Sequence, residues 1–261
     1  VSVAANAERG PAPADPVGPA MIELRKLTKA FGSKMALRGV DLRVAPGESL
    51  VIFGPNGAGK TTLIRILSSL SRPTGGKVLI GGLDLATHAD GIRRYLGVVS
   101  HAPLLYDSLT AEENLRFFAQ LYGLAAPAPR IAGLLAQVGL TARRNDLVRT
   151  FSRGMLQRLA IARALLHDPQ VLLLDEPDTG LDPQAAEMLH NLLVQLSRAA
   201  STEADAPRTI VTVTHSIERG LAIADRAVIL AGGRIVFEGA TAGMTPADFR
   251  PLYDRYVGGG R

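Results

Sequence analysis

Two hydrophobic periods share this chain. From Met21 onward, IELRKLTKAF and ALRGVDLRV alternate apolar and polar residues, which predicts strands with one covered and one wet face, forming an antiparallel unit at one edge. SLVIF (Ser49 to Phe53) and VLLLD (Val171 to Asp175) are instead continuously apolar, and IVTVT (Ile210 to Thr214) is rich in β-branched residues. Such runs suit strands of a parallel sheet covered by helices on both faces. Between about Ser108 and His167 the spacing turns helical, in LTAEENLRFFAQLYG, RIAGLLAQVGL and GMLQRLAIARALLHD, punctuated by Pro127, Pro129, Gly139 and Pro169. A last helix near Pro183 to Ala200 precedes the polar stretch STEADAPR. The pattern predicts an α/β fold: a mixed, mainly parallel sheet, an N-terminal antiparallel β subdomain and an inserted α-helical subdomain at about 108–167. One folded unit is expected over 21–240, with tails at 1–20 and 241–261.

The opening VSVAANAERGPAPADPVGPA has no apolar periodicity and predicts disorder, without the basic start and apolar centre of a secretory signal. Met21 directly precedes the first strand, so Val1 is expected to reflect either an upstream start or a processed end. No apolar run approaches the roughly 18–20 residues that cross a bilayer, so any membrane spans must come from other chains. The absence of cysteine excludes disulfides, thiolate metal sites and a cysteine nucleophile. A formal charge of +5 raises the question of a nucleic-acid partner. However, the arginines are scattered in singles and pairs (Arg93-Arg94, Arg143-Arg144) among acids, with no aromatic interleaving, and no nucleic acid is expected.

The chemistry concentrates in three strings. GPNGAGKTT, comprising Gly54, Pro55, Asn56, Gly57, Ala58, Gly59, Lys60, Thr61 and Thr62, fits the phosphate-loop pattern and stands between a buried strand and a helix. Its glycines let the backbone N–H groups converge on phosphate oxygens at a helix N-terminus. Lys60 supplies charge to the β- and γ-phosphates of ATP, and Thr61 offers a hydroxyl to Mg²⁺. VLLLDEP ends a buried strand in two carboxylates, a costly arrangement unless they serve a cation or a proton transfer. Asp175 suits Mg²⁺, largely through water, and Glu176 suits the activation of an attacking water. FSRGMLQR opens a long helix, where Ser152, Arg153, Gly154 and Met155 read on their own as a capped N-terminus and, with the other strings, as a second phosphate-facing site.

These strings, followed by TGLD and VTHS, resemble the ATP-binding cassette ATPases over about Ile22 to Gly239. The resemblance implies a P-loop NTPase core and an ATP- and Mg²⁺-dependent hydrolase. It also implies a head-to-tail homodimer in which Ser152 and Gly154 of one copy close over nucleotide held by Lys60 of the other. Phe31 in KAFGSKMAL would stack on adenine, Asp182 would contact the partner, and His215 would bond to the γ-phosphate. Multispanning transmembrane subunits are the implied partners, with the cassette peripheral on the cytoplasmic face of the inner membrane.

Two features depart from the family pattern. The signature usually begins Leu-Ser-Gly-Gly-Gln, whereas Phe151, Arg153 and Met155 replace its first, third and fifth residues here. The loop after LGVVS should carry a metal-contacting glutamine, but SHAPLLYDSLT puts His101 or Ala102 in that place, according to alignment. Within the family, VVSHAPLLYDSLTAEENLRFFAQLYG and TFSRGMLQRLAIARALLHDPQVLLLDEP resemble the ATPase subunits assigned to haem export in cytochrome c maturation, and more loosely those of drug- and polysaccharide-type exporters. Soluble cassette proteins acting on ribosomes or DNA form the rival class. They usually carry two cassettes or long coiled-coil insertions, neither of which is seen here.

Overall fold

The computed structural model describes residues 19–100, 102–198 and 207–258. His101 and residues 1–18 of the expected disordered tail lie outside the described residues.

Strands β1 (Ile22–Phe31) and β2 (Lys34–Val44) form a hairpin, and β4 (Gly75–Ile80) and β5 (Leu83–Asp84) extend it into an antiparallel sheet of order β2-β1-β4-β5. The alternation of β1 is not perfect in sequence, because Leu24 and Leu27 are three apart yet both buried. A register shift lies between them, with Lys26 at φ 47°, and this bulge returns Leu27 to the covered face.

The second sheet has the order β10-β9-β3-β8-β7-β6. Its strands β3 (Ser49–Phe53), β6 (Leu96–Val99), β7 (Val171–Asp175), β8 (Thr209–Val213) and β9 (Arg226–Ala231) run parallel, and β10 (Arg234–Ala240) pairs antiparallel at the edge. Every residue of β3, β7 and β8 is buried, as expected of apolar and β-branched strands covered on both faces. In β7 the two faces serve different cores. Val171 and Leu173 join the cluster of α1 (Lys60–Leu67) and the antiparallel sheet, while Leu172 and Leu174 join the helices on the other side.

Those helices are α3 (Ala111–Leu121), α4 (Ala128–Gln137), α5 (Arg153–Leu165) and α6 (Pro183–Arg198), and α2 (Leu85–Arg93) leads into β6. Helix α3 starts at a reciprocal cap between Thr110 and Glu113, in which each side chain accepts from the other's backbone N–H. The predicted helical block is present, but α5 is not peripheral to the sheet. Leu159 to Leu165 are buried without interruption, so α5 roots the block in the core instead of presenting one apolar stripe.

The stretch 241–261, expected as a tail, instead carries α8 (Pro246–Gly258). With α7 (Ile217–Ile223) it closes a third cluster, where the fully buried Phe249 ring lies 4.9 Å from Phe53. Burying such a side chain contributes about 1.5–3 kcal/mol, which explains why the segment packs. Among the described residues no helix is long and apolar enough to cross a membrane.

Candidate functional site

Strands β3, β8 and β7 are neighbours, and the chain leaves the C-terminal end of each into a loop that carries polar residues. In a parallel sheet this edge is where the backbone can turn to expose groups to a ligand. The loop after β3 holds Gly54 to Gly59, the end of β7 holds Asp175 and Glu176, and the loop after β8 holds His215.

The phosphate loop turns tightly enough that two of its glycines have no room for a side chain. A Cβ on Gly54 would stand 2.1 Å from the Leu230 carbonyl oxygen, and one on Gly59 would stand 2.6 Å from that of Ala36. Gly59, at φ 108°, opens α1 without any side-chain cap, which leaves the first-turn N–H groups free to face an anion. Asn56 and Gly57 are exposed at the rim, Pro55 and Thr62 are half-buried, and Ala58 is buried beneath the loop.

Lys60 is buried and curls over the loop, where its Nζ donates to the carbonyl oxygens of Gly54 at 2.7 Å and Pro55 at 3.1 Å. Burial pulls its pKa below the ordinary lysine value, and the carboxylates of Glu176 and Asp175 oppose that shift. Thr61 Oγ1 donates to Asp175 Oδ1 at 3.4 Å, so hydroxyl and buried carboxylate face each other. Among the described residues there is no cage of three or more His, Cys, Asp or Glu side chains. A hydroxyl plus one carboxylate suits Mg²⁺, which takes few protein ligands and completes its shell with water and phosphate.

Glu176 has φ 50°, a conformation L residues seldom adopt. Its N–H donates to the Val213 carbonyl at 2.8 Å, and Thr179 Oγ1 donates to its Oε2 at 3.1 Å. His215 Nδ1 stands 3.9 Å from the same Oε2, with the imidazole 64% exposed and thus open to an incoming ligand. Five expected residues, Lys60, Thr61, Asp175, Glu176 and His215, are thereby gathered at one edge.

The others make their contacts elsewhere. Ser152 caps α5 by accepting from Met155 N–H at 3.3 Å, which is the capped-helix reading in its plain form. Gly154 is buried, and a Cβ there would meet only Ala185, at 2.7 Å, with nothing of the phosphate loop within 4 Å. Arg153 lies against Gly180. Asp182 caps α6, accepting from Ala185 N–H at 2.9 Å. Phe31 ends β1 with its ring 56% exposed beneath Lys29 Nζ, so it is not a core aromatic. Thr179, which orients Glu176, escaped the sequence reading; its signal was a hydroxyl three residues after the carboxylate.

A family model described as ABC transporter matches residues 37–179. Among curated proteins, the chain is 37% identical over 222 residues to the Nod factor export ATP-binding protein I of Cupriavidus pinatubonensis, covering 84% of this chain and 66% of that protein. It is 36% identical over 227 residues to the ABC transporter ATP-binding protein NatA of Bacillus subtilis, covering 84% and 89%. The linearmycin resistance ATP-binding protein LnrL of the same organism is 34% identical over 218 residues, covering 83% and 68%. In structure, the dimeric post-hydrolysis ATP-binding cassette MJ0796 bound to ADP and Pi superposes with a TM-score of 0.75 at 30% identity, covering 85% of this chain and 99% of that one.

Proposed function

Because the chain belongs to the ABC transporter family, as an ATPase cassette, we propose that it hydrolyses Mg²⁺-bound ATP between two copies of itself and thereby powers membrane-spanning exporter chains. The observation that carries this reading is the meeting of Lys60, Thr61, Asp175, Glu176 and His215 at the ends of adjacent parallel strands.

The phosphates of ATP sit on the N–H groups of residues 54–60, and Lys60 exchanges its two carbonyl acceptors for β- and γ-phosphate oxygens. Thr61 and Asp175 would hold Mg²⁺, which would neutralise phosphate charge. Glu176 accepts a proton from water as the water oxygen attacks the γ-phosphorus. The bond from that phosphorus to the bridging oxygen breaks, and its electrons leave with ADP. His215 donates to a γ-phosphate oxygen, and Phe31 stacks on adenine. Ser152 caps its own helix and nothing of the phosphate loop lies within 4 Å of a Cβ built on Gly154, which fits a role on the nucleotide of a second copy; the dimeric MJ0796 cassette has the corresponding fold.

Export is favoured by the relatives named for it. Their names point to Nod factor and linearmycin, not haem, so the haem-export resemblance is not carried further, and the cargo class is that of the Nod factor, NatA and LnrL group. Neither is nucleic acid favoured, since Arg93, Arg143 and Arg144 are paired with Asp90, Asp146 and Glu112 and form no free basic stripe.

Glu176→Gln keeps the side-chain shape but removes the base. The variant should lose turnover, retain ATP binding and accumulate as a dimer in ATP by size exclusion with light scattering. Wild-type turnover in Glu176→Gln would overturn the mechanism. Affinity purification from detergent-solubilised membranes should bring down a multispanning chain.

A further inference from the structure

Two residues beyond Glu176 the chain carries a second carboxylate, Asp178, whose side chain is only 10% exposed and takes no part in holding phosphate, metal or water above. Its Oδ1 accepts from Thr214 Oγ1 at 3.3 Å and its Oδ2 from Arg219 Nη1 at 3.2 Å. Those partners lie on either side of His215 in the chain. Thr214 is itself buried, and its Oγ1 also accepts from Ser216 N–H at 3.1 Å, so the turn around His215 closes on the same hydroxyl. On the other side, Asp178 is adjacent to Thr179, whose hydroxyl orients Glu176, and its carbonyl accepts from Leu181 N–H.

One carboxylate therefore joins the loop that carries Glu176 to the loop that carries His215. The need for such a tie is visible in the backbone. A glutamate at φ 50° persists only where its surroundings over-determine it. Glu176 itself is restrained by its N–H bond to Val213, by its carbonyl accepting from Thr179 N–H at 3.2 Å and by the Thr179 hydroxyl. Of these only the bond to Val213 reaches the strand that leads to His215, and it lies at the strand end; Asp178 adds a side-chain tie beyond that end, between the two loops themselves.

We propose that Asp178 is a positioning residue for hydrolysis: clamped by Thr214 and Arg219, it sets the separation between Glu176 and His215 and so aligns the attacking water with the γ-phosphate. This rests on the ATPase reading given above, which wild-type turnover checks first. Asp178→Ala should lower kcat on the order of tenfold or more, the range for misaligned reacting groups, while KM for ATP and nucleotide binding stay near wild type because the phosphate loop is untouched. Asp178→Asn keeps the volume but can accept from only one of the two donors, and should fall between wild type and Ala. Arg219→Ala should lower kcat as well, and the double variant should be no worse than the poorer single, as expected of two halves of one clamp.

The measurements are steady-state ATP hydrolysis, equilibrium nucleotide binding and thermal melting on the full chain. An active wild type beside an Asp178→Ala variant of unchanged kcat would overturn the clamp and leave the ATPase reading standing. So would a raised KM with unchanged kcat, or multiplying effects of Asp178→Ala and Arg219→Ala. Should Asp178→Ala fail to fold, the folded Asn variant carries the test, and full activity there overturns the proposal. A wild type without turnover would overturn both readings.

Discussion

Gly59 shows how closely the phosphate loop depends on its neighbours. A Cβ there would lie 2.6 Å from the Ala36 carbonyl oxygen and 2.8 Å from Leu37 Cδ2. Ala36 O is backbone of β2 and Leu37 is fully buried, so neither can retreat cheaply. The strain falls on the loop, which must move by about 0.8 Å or more to bring the Ala36 contact to an ordinary distance. Positive φ adds about 1–2 kcal/mol for any L side chain. For a chain of this size that alone lowers Tm by about 2–8 °C. A shift approaching 1 Å in groups that position phosphate can remove on the order of 10²-fold in turnover. Gly59→Ala should therefore lose both stability and ATP hydrolysis. Gly82→Ala is the control, because Gly82 has φ 77° but nothing within 4 Å of a new Cβ, and it lies in the β4-β5 turn away from the site. It should lose a similar few degrees and keep wild-type turnover. The assays are calorimetry and Mg²⁺-ATP hydrolysis on both variants. Wild-type kcat/KM in Gly59→Ala, or an equal loss in Gly82→Ala, would refute the steric reasoning.

Lys60→Ala should abolish hydrolysis and weaken ATP binding while leaving Tm within a few degrees, as measured by titration with a fluorescent nucleotide; unchanged turnover would sink the phosphate-loop assignment. His101→Ala should lower turnover of the isolated chain and shift its Mg²⁺ dependence, with His101→Gln restoring both, if His101 replaces the missing glutamine; identical Mg²⁺ titrations would rule that role out. His167 supplies a pH dependence of stability. Its Nε2–H donates to the Leu96 carbonyl, Nδ1 is buried without a partner among the described residues, and the ring stacks on Tyr122. Burial lowers its pKa below the ordinary 6.5, so the unfolded chain binds the proton more readily than the folded one. Its contribution is complete above about pH 6.5 and is lost as pH falls toward the folded value. Melting temperatures between pH 8 and pH 5 should fall less steeply for His167→Gln than for the wild type, and parallel curves would exclude this source.

What the sequence determined by itself is local. The phosphate loop is one unbroken string whose glycines report their own backbone needs, and the buried strands before Gly54 and at Asp175 are visible as apolar runs too short for helices. The cap of α3 lies within four residues and was equally readable. The lost alternation between Leu24 and Leu27 was not, because a bulge is decided by the partner strand. Nor was α8, whose amphipathic signal is interrupted by Pro251 and whose burial depends on Phe53 from the far side of the chain. The site follows the same division. Thr61 and Asp175 are 114 residues apart and Asp178 and Arg219 are 41 apart, and their meeting is the work of strand order β3-β8-β7. Residue types and short spacings are written along the chain. Which carboxylate faces the hydroxyl, and which one ties two loops together, is decided by the sheet, since hydrogen bonds between distant segments form only after the core has brought them within about 3 Å.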